Sequence, residues 1–103
     1  QINISSEGSK SGCKPEELFE LAKLIKSMEN INLKGIMALP KLTNDKKERE
    51  FMMKSVVDLS FQLQKKYPDA SVISLGTTSD FEDAIIQGSN MLRIGESIFG
   101  KRL

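Results

Sequence analysis

Four short apolar segments, each separated from the next by a stretch of helical periodicity, govern what this chain can become. Residues 2–5 alternate apolar and polar, which suits a short strand. Residues 33–39 form a second, with a latter half nearly all apolar, as for a strand covered on both faces. Pro40 stops it. Residues 72–76 are the third and residues 91–95 the fourth. No neighbouring pair is joined by a tight turn. The order β-α-β-α-β-α-β therefore implies parallel strands with right-handed helical crossovers. Two architectures satisfy it: a small doubly wound sheet, or half of an eight-stranded barrel whose usual length is about 250 residues. Periodicity does not choose between them.

The segments between carry helix signals. Pro15 loses nothing at a first helical position, and Glu16 and Glu17 favour the positive end of the helix dipole. Leu18, Leu21, Ala22, Ile25 and Met28 then make one apolar stripe. A long helix is predicted over residues 45–66, with Asp45 and Glu48 as a capping box. Met52, Val56, Leu59 and Leu63 are its buried stripe, and Lys65 and Lys66 suit its C-terminal end before Pro68. Ser79 with Glu82 forms a second capping box, Phe81, Ala84 and Ile85 face inward, and Gly88 is a left-handed stop. A short turn or helix over residues 96–99 follows the last strand.

Composition narrows the function. A chain of 103 residues is at most one small domain. Fifteen Lys and Arg against fourteen Asp and Glu give +1, so there is no electrostatic case for a nucleic-acid partner. With no histidine, Ser-His and Cys-His nucleophile pairs and His-containing metal sites are excluded. The lone Cys13 has no internal disulfide partner, so a reducing compartment is allowed and a cytoplasmic location is expected. No apolar run approaches the roughly 18–20 residues of a membrane span, and the N-terminus has no signal pattern. It lacks an initiator methionine and starts inside a strand, so the chain reads as cut.

In both architectures ligands gather at the C-terminal strand ends. That singles out residues 5–12, 38–43, 74–80 and 95–97. Residues 74–79 and 93–97 together make a reasonable phosphate cradle, since amides at helix starts bind anions; the alternative is that their hydroxyls only cap helices. Arg93 lies mid-strand between Leu92 and Ile94, where a guanidinium needs an acceptor. That acceptor is either a neighbouring carboxylate or a ligand in the barrel mouth. Lys10 is a solvated lysine or an active amine, Met37 is core, and residues 46–50 are a solvated helix face. Nothing marks Cys13 as reactive. Residues 95–101 match seven places of the P-loop pattern, but Arg102 replaces its hydroxyl and no helix follows, so that reading is rejected.

Residues 74–85, then 88–95 and 98–100, closely resemble the C-terminal signature of the pyridoxal phosphate homeostasis proteins. Gln1, Ile2 and Asn3 with Ser5, Glu7, Lys10 and Gly12 resemble that family's mid-chain motif, and residues 34–40 its next strand. The resemblance implies the C-terminal half of a TIM-type (β/α)8 barrel like the alanine racemase N-terminal domain, about four βα units, residues 1–103 forming one partial domain. It implies that pyridoxal 5'-phosphate is the cofactor. The Schiff-base lysine would lie in a missing N-terminal half, and no lysine here matches its motif. Arg93 matches the arginine expected at the pyridine nitrogen, Gly95 and the N–H of Glu96 match phosphate donors, and Thr78 matches a phosphate-binding serine. Ser74 matches a serine at the end of the seventh barrel strand. Ser6, Thr77 and Glu96 depart from the family pattern, and a Glu96 carboxylate facing the phosphate would repel it.

The implied function is storage or delivery of the cofactor rather than catalysis. A racemase-like enzyme would need acid/base groups on both ring faces, for which Lys10 and Tyr67 are the candidates here. A third reading is a structural half-barrel that binds nothing and self-associates through two open sheet edges.

Overall fold

A computed structural model of the chain describes residues 1–5, 8 and 11–101. Pro15 opens a 3-10 turn, Pro15–Glu17, that runs into α1 (Leu18–Lys26). The Glu17 carboxylate accepts from the Lys14 N–H at 2.9 Å, tying off one free amide of the turn. Next come β1 (Gly35–Met37), α2 (Lys46–Lys66), β2 (Val72–Thr77), α3 (Phe81–Gln87), β3 (Met91–Arg93) and α4 (Glu96–Phe99). The three strands are parallel and lie in chain order β1-β2-β3. There is no reversal of strand order, which a doubly wound sheet requires at its switch point.

The strand expected over residues 2–5 is reduced to single-residue bridges. Ile2 pairs in parallel with Ala38 and with Cys13, and its N–H donates to the Met37 carbonyl at 2.8 Å. The chain turns back immediately, since the Ile4 N–H reaches only the Ile2 carbonyl. The ladder cannot continue once the backbone turns. That side of the sheet carries Cys13, whose N–H donates to Gln1 and whose carbonyl accepts from Asn3. It is therefore not wholly open, against the expectation of two bare edges.

Asp45 caps α2, its carboxylate accepting from Lys47 and Glu48 amides at 3.0 and 3.3 Å. The predicted return arm is absent: the Asp45 N–H donates to Thr43 Oγ1, and Glu48 pairs with Lys41 at 3.0 Å. Val56, Met53 and Leu63 of α2 pack with Ile36, Ile73, Leu75 and Ala84 into one core, each large side chain worth about 1.5–3 kcal/mol. Leu18 and Ala22 bring α1 to the same cluster, whereas Leu21 and Met28 of its expected stripe stay exposed. Ile85 of α3 is also exposed rather than inward. The helices thus cover the face of Ile36, Ile73 and Leu75. Gly35, Met37 and Val72, on the other face, are only part-buried. The expectation that the strand over residues 33–39 is covered on both faces fails at Met37 and at Leu39, which is exposed.

Two glycines are forced. Gly35 has φ +155°, and a Cβ there would lie 1.9 Å from the Val72 carbonyl oxygen. Gly76 has φ +110°, and a Cβ would meet Ala84 Cβ at 2.8 Å. Gly76 sits in an irregular stretch of the β2–β3 ladder: Ser74 pairs with Met91, but Thr77 pairs with Arg93. Three steps along β2 match two along β3, which is the count of a β-bulge.

Candidate functional site

At the C-terminal strand ends lies a cleft of about 180 Å³, walled by residues 38–40 and Leu42 on one side and by Gly76, Thr77 and Asp80 on the other. Arg93 also lines it. β3 delivers this side chain to the face away from the helices, where its Nε donates to Ser74 Oγ at 3.1 Å. Its Nη2 donates to the Ala38 carbonyl at 2.8 Å and, more weakly, to the Ser74 carbonyl at 3.4 Å. One planar guanidinium therefore bridges the residue just past β1 and the interior of β2, where Ser74 is the third of six residues and not at the strand end that the resemblance implied. Among the described residues none of its acceptors is a carboxylate. The neighbouring acid considered from the sequence is not bonded to Arg93 among the described residues, although Asp80 lines the same cleft.

None of the other expected site residues, Ser74, Thr78, Gly95 and Glu96, lines this cleft. Ser74 is buried and bonded to Arg93. Its oxygen is occupied as an acceptor, which leaves its O–H as a donor. Thr78, in the turn after β2, is half-buried, and its Oγ1 accepts from the Ser97 N–H at 3.4 Å. That contact sets the turn beside the start of α4. Gly95 precedes α4, its carbonyl accepting from Ile98 and Phe99. The first amides of a helix have no intrahelical partner, and among the described residues no bond from the Gly95 or Glu96 N–H is seen. Glu96 is exposed and its side chain does not line the cleft.

Three residues outside those expectations shape the site. Asp80 lines the cleft, and its Oδ1 accepts from the Thr77 N–H at 2.7 Å and the Thr77 hydroxyl at 3.1 Å. Asp80, not Ser79, is the N-cap residue of α3, and it makes no side-chain cap bond, so the expected Ser79–Glu82 box does not form. Asp next to Ser and Thr ahead of a helix is a turn signal that could have exposed this role. Arg49 pairs with Asp83, Nε to Oδ2 at 2.6 Å, and its Nη1 donates to the Thr43 carbonyl at 3.1 Å. It is therefore not part of a solvated helix face. It joins the chain beyond one cleft wall to α3 behind the other.

One further candidate falls away from the cleft. Tyr67 is the C-cap residue of α2, and in a parallel βαβ unit that places it at the opposite end of the sheet from the rim. Lys10 and Ser6 lie outside the described residues. Cys13 is part-buried, and burial pushes its thiol above the usual 9.0, with the N-terminal charge opposing and Glu17 adding to the rise. No metal-ligating cluster occurs among the described residues, and none of their helices is long and apolar enough to cross a membrane.

Comparison with known proteins accords with this geometry. The chain is 40% identical over 102 residues to the pyridoxal phosphate homeostasis protein of Vibrio cholerae, a match covering 99% of this chain and 43% of that relative. The Escherichia coli K12 protein of the same name is 42% identical over 103 residues, with 99% and 44% covered. The chain thus spans a little under half the length of the curated relatives it matches. Among solved structures, a protein of unknown function from Bifidobacterium adolescentis superposes with a TM-score of 0.88 at 28% identity, over 95% of this chain and 40% of that one. PipY of Synechococcus elongatus, in a structure with PLP bound, shares the fold with a TM-score of 0.77 at 21% identity, over 89% of this chain and 44% of that one. The family model for the alanine racemase N-terminal domain matches residues 1–102, and with the parallel strands and the arginine-based cleft in view, the chain belongs to that family.

Proposed function

We propose that this chain supplies the non-covalent half of a pyridoxal 5'-phosphate site in a cytoplasmic protein of cofactor homeostasis, one that stores or delivers the cofactor and is not itself an enzyme. In this reading residues 1–103 are the C-terminal half of a TIM-type (β/α)8 barrel, about four βα units. The consecutive parallel order and the sheet face left uncovered by helices support it. The missing N-terminal half would cover that face and bring the Schiff-base lysine. The names of the curated relatives, and PLP in the PipY structure, point to the same ligand.

The observation that carries the proposal is Arg93 held by neutral acceptors alone among the described residues. A carboxylate partner would cancel its charge; a carbonyl and a hydroxyl leave it intact. Such a cation suits an unprotonated aromatic nitrogen and disfavours protonating it, because two like charges would meet at low dielectric. Bound pyridoxal phosphate supplies an aldehyde and an electron-withdrawing ring, and the ring is a weaker electron sink with its nitrogen unprotonated. Thr78 and the amides of Gly95 and Glu96 would hold the phosphate, with the Glu96 carboxylate directed away. Ser74 would orient Arg93.

The test joins this chain to a preceding half-barrel and titrates pyridoxal phosphate. A Schiff-base absorbance band is expected. Arg93→Ala, with its circular dichroism unchanged, should weaken cofactor retention by about tenfold or more, since hydrogen bonds to a charged group are worth about 1.5–3 kcal/mol. A joined protein that folds but develops no such band overturns the reading.

A further inference from the structure

We propose that Asp80 is the positioning residue of the phosphate side of this site, an inference that rests on the cofactor reading above. Its Oδ1 accepts from both the N–H and the hydroxyl of Thr77, and its own N–H donates to the Thr77 carbonyl at 3.2 Å. Three bonds between the same two residues close residues 77–80 into one turn. Thr78 lies inside that turn, and its hydroxyl meets the Ser97 N–H across the rim. The turn is therefore the part that sets where the Thr78 hydroxyl stands relative to the start of α4.

The choice of acceptor is informative. An aspartate at an N-cap ordinarily accepts from the second or third amide of its helix. Asp80 forgoes that bond and turns its carboxylate back onto Thr77. Asp80 lines the cleft with Arg93 and, on the other side of its turn, a pocket shared with Thr78, where a bare carboxylate would oppose an incoming phosphate by simple repulsion. A negative group in an anion site is explained if its geometry outweighs its charge.

Geometry and charge separate cleanly by substitution. Asp80→Asn keeps the acceptor oxygen and removes the charge, whereas Asp80→Ala removes both. In the joined protein described above, Asp80→Asn should bind pyridoxal phosphate as tightly as the parent or more so. Asp80→Ala should bind it about tenfold more weakly, the scale of a lost hydrogen-bonded anchor. Pyridoxal, which lacks the phosphate, should bind the parent and Asp80→Ala equally. Thr77→Val, which deletes only the hydroxyl bond and keeps the fold's shape, should show a smaller loss in the same direction and gives the same reading should Asp80→Ala not fold. Undiminished affinity in both Asp80→Ala and Thr77→Val, equal losses for pyridoxal and its phosphate, or equal losses in Asp80→Asn and Asp80→Ala would each overturn the positioning role. Those outcomes leave the cofactor reading standing, while a parent protein that takes up no cofactor removes both.

Discussion

Alternate residues of β1 meet opposite surroundings, whereas in β2 the contrast holds only at its start, since Ser74 and Gly76 are buried too. Ile36, Ile73 and Leu75 are 5%, 2% and 0% exposed beneath the helices. One step along each strand, Met37 and Val72 are only part-buried, and Met91 is 49% exposed. Yet Arg93, which hydrogen-bonds to Ser74 within β2 and to Ala38 just past β1, reaches across the open face. The covered face holds the apolar burial that stabilises the fold, and the open face carries Ser74 and Arg93, the polar groups proposed to serve a ligand. Strand alternation makes such a division available in any sheet. This chain uses it to keep a charged side chain out of the core.

Direct substitution on each face tests that division. Leu75→Ala should lower unfolding stability by about 2–5 kcal/mol, the usual cost of truncating a fully buried aliphatic side chain. Met37→Ala should cost well under half of that in the same denaturant titration. Equal costs would break the comparison. Arg49→Ala comes next, at about 1–2 kcal/mol, because it strands the Asp83 carboxylate and frees the Thr43 carbonyl in a part-buried setting. Hydrogen exchange should rise in residues 38–44 more than in α2 if that pair braces the cleft wall.

The smallest effect concerns Cys13. Its thiol is raised above 9.0 chiefly by burial, so the folded chain holds that proton more tightly than the unfolded one does. The resulting stability is complete below pH 9.0 and is lost as pH climbs through the higher folded value. At neutral pH, alkylation should be slower than for an unfolded control, and the gap should close in denaturant. An alkylation rate equal to that of the control would show the thiol to be as open as in a free peptide.

What could be read from the sequence was local. Pro15 opening a turn, Asp45 capping α2 and Gly88 ending α3 at φ +120° each depend on a few adjacent residues. The arginine at the cleft was legible because a guanidinium amid apolar strand residues demands an explanation. Its acceptors were not, since the Ala38 carbonyl is 55 positions away. Arg49 was misjudged for the same reason: a run of alternating charges looks solvated until Asp83, 34 positions on, is brought beside it. The capping box at Ser79 failed to a competing local choice, because Asp80 took over the turn. The strand over residues 2–5 failed for want of a continuing neighbour, since only Ile2 found ladder partners.

The uneven count between β2 and β3 has a consequence for chemistry. In a regular strand, Ser74 and Thr77 are an odd number of steps apart and would point to opposite sides. Because Ser74 matches Met91 while Thr77 matches Arg93, the extra residue at Gly76 resets the phase. Thr77 then lines the cleft with Arg93, while the Ser74 hydroxyl accepts from its guanidinium. Shortening this segment by a single residue would send the Thr77 hydroxyl inward among the aliphatic side chains, and the cleft would lose that polar group although the chain still contains it.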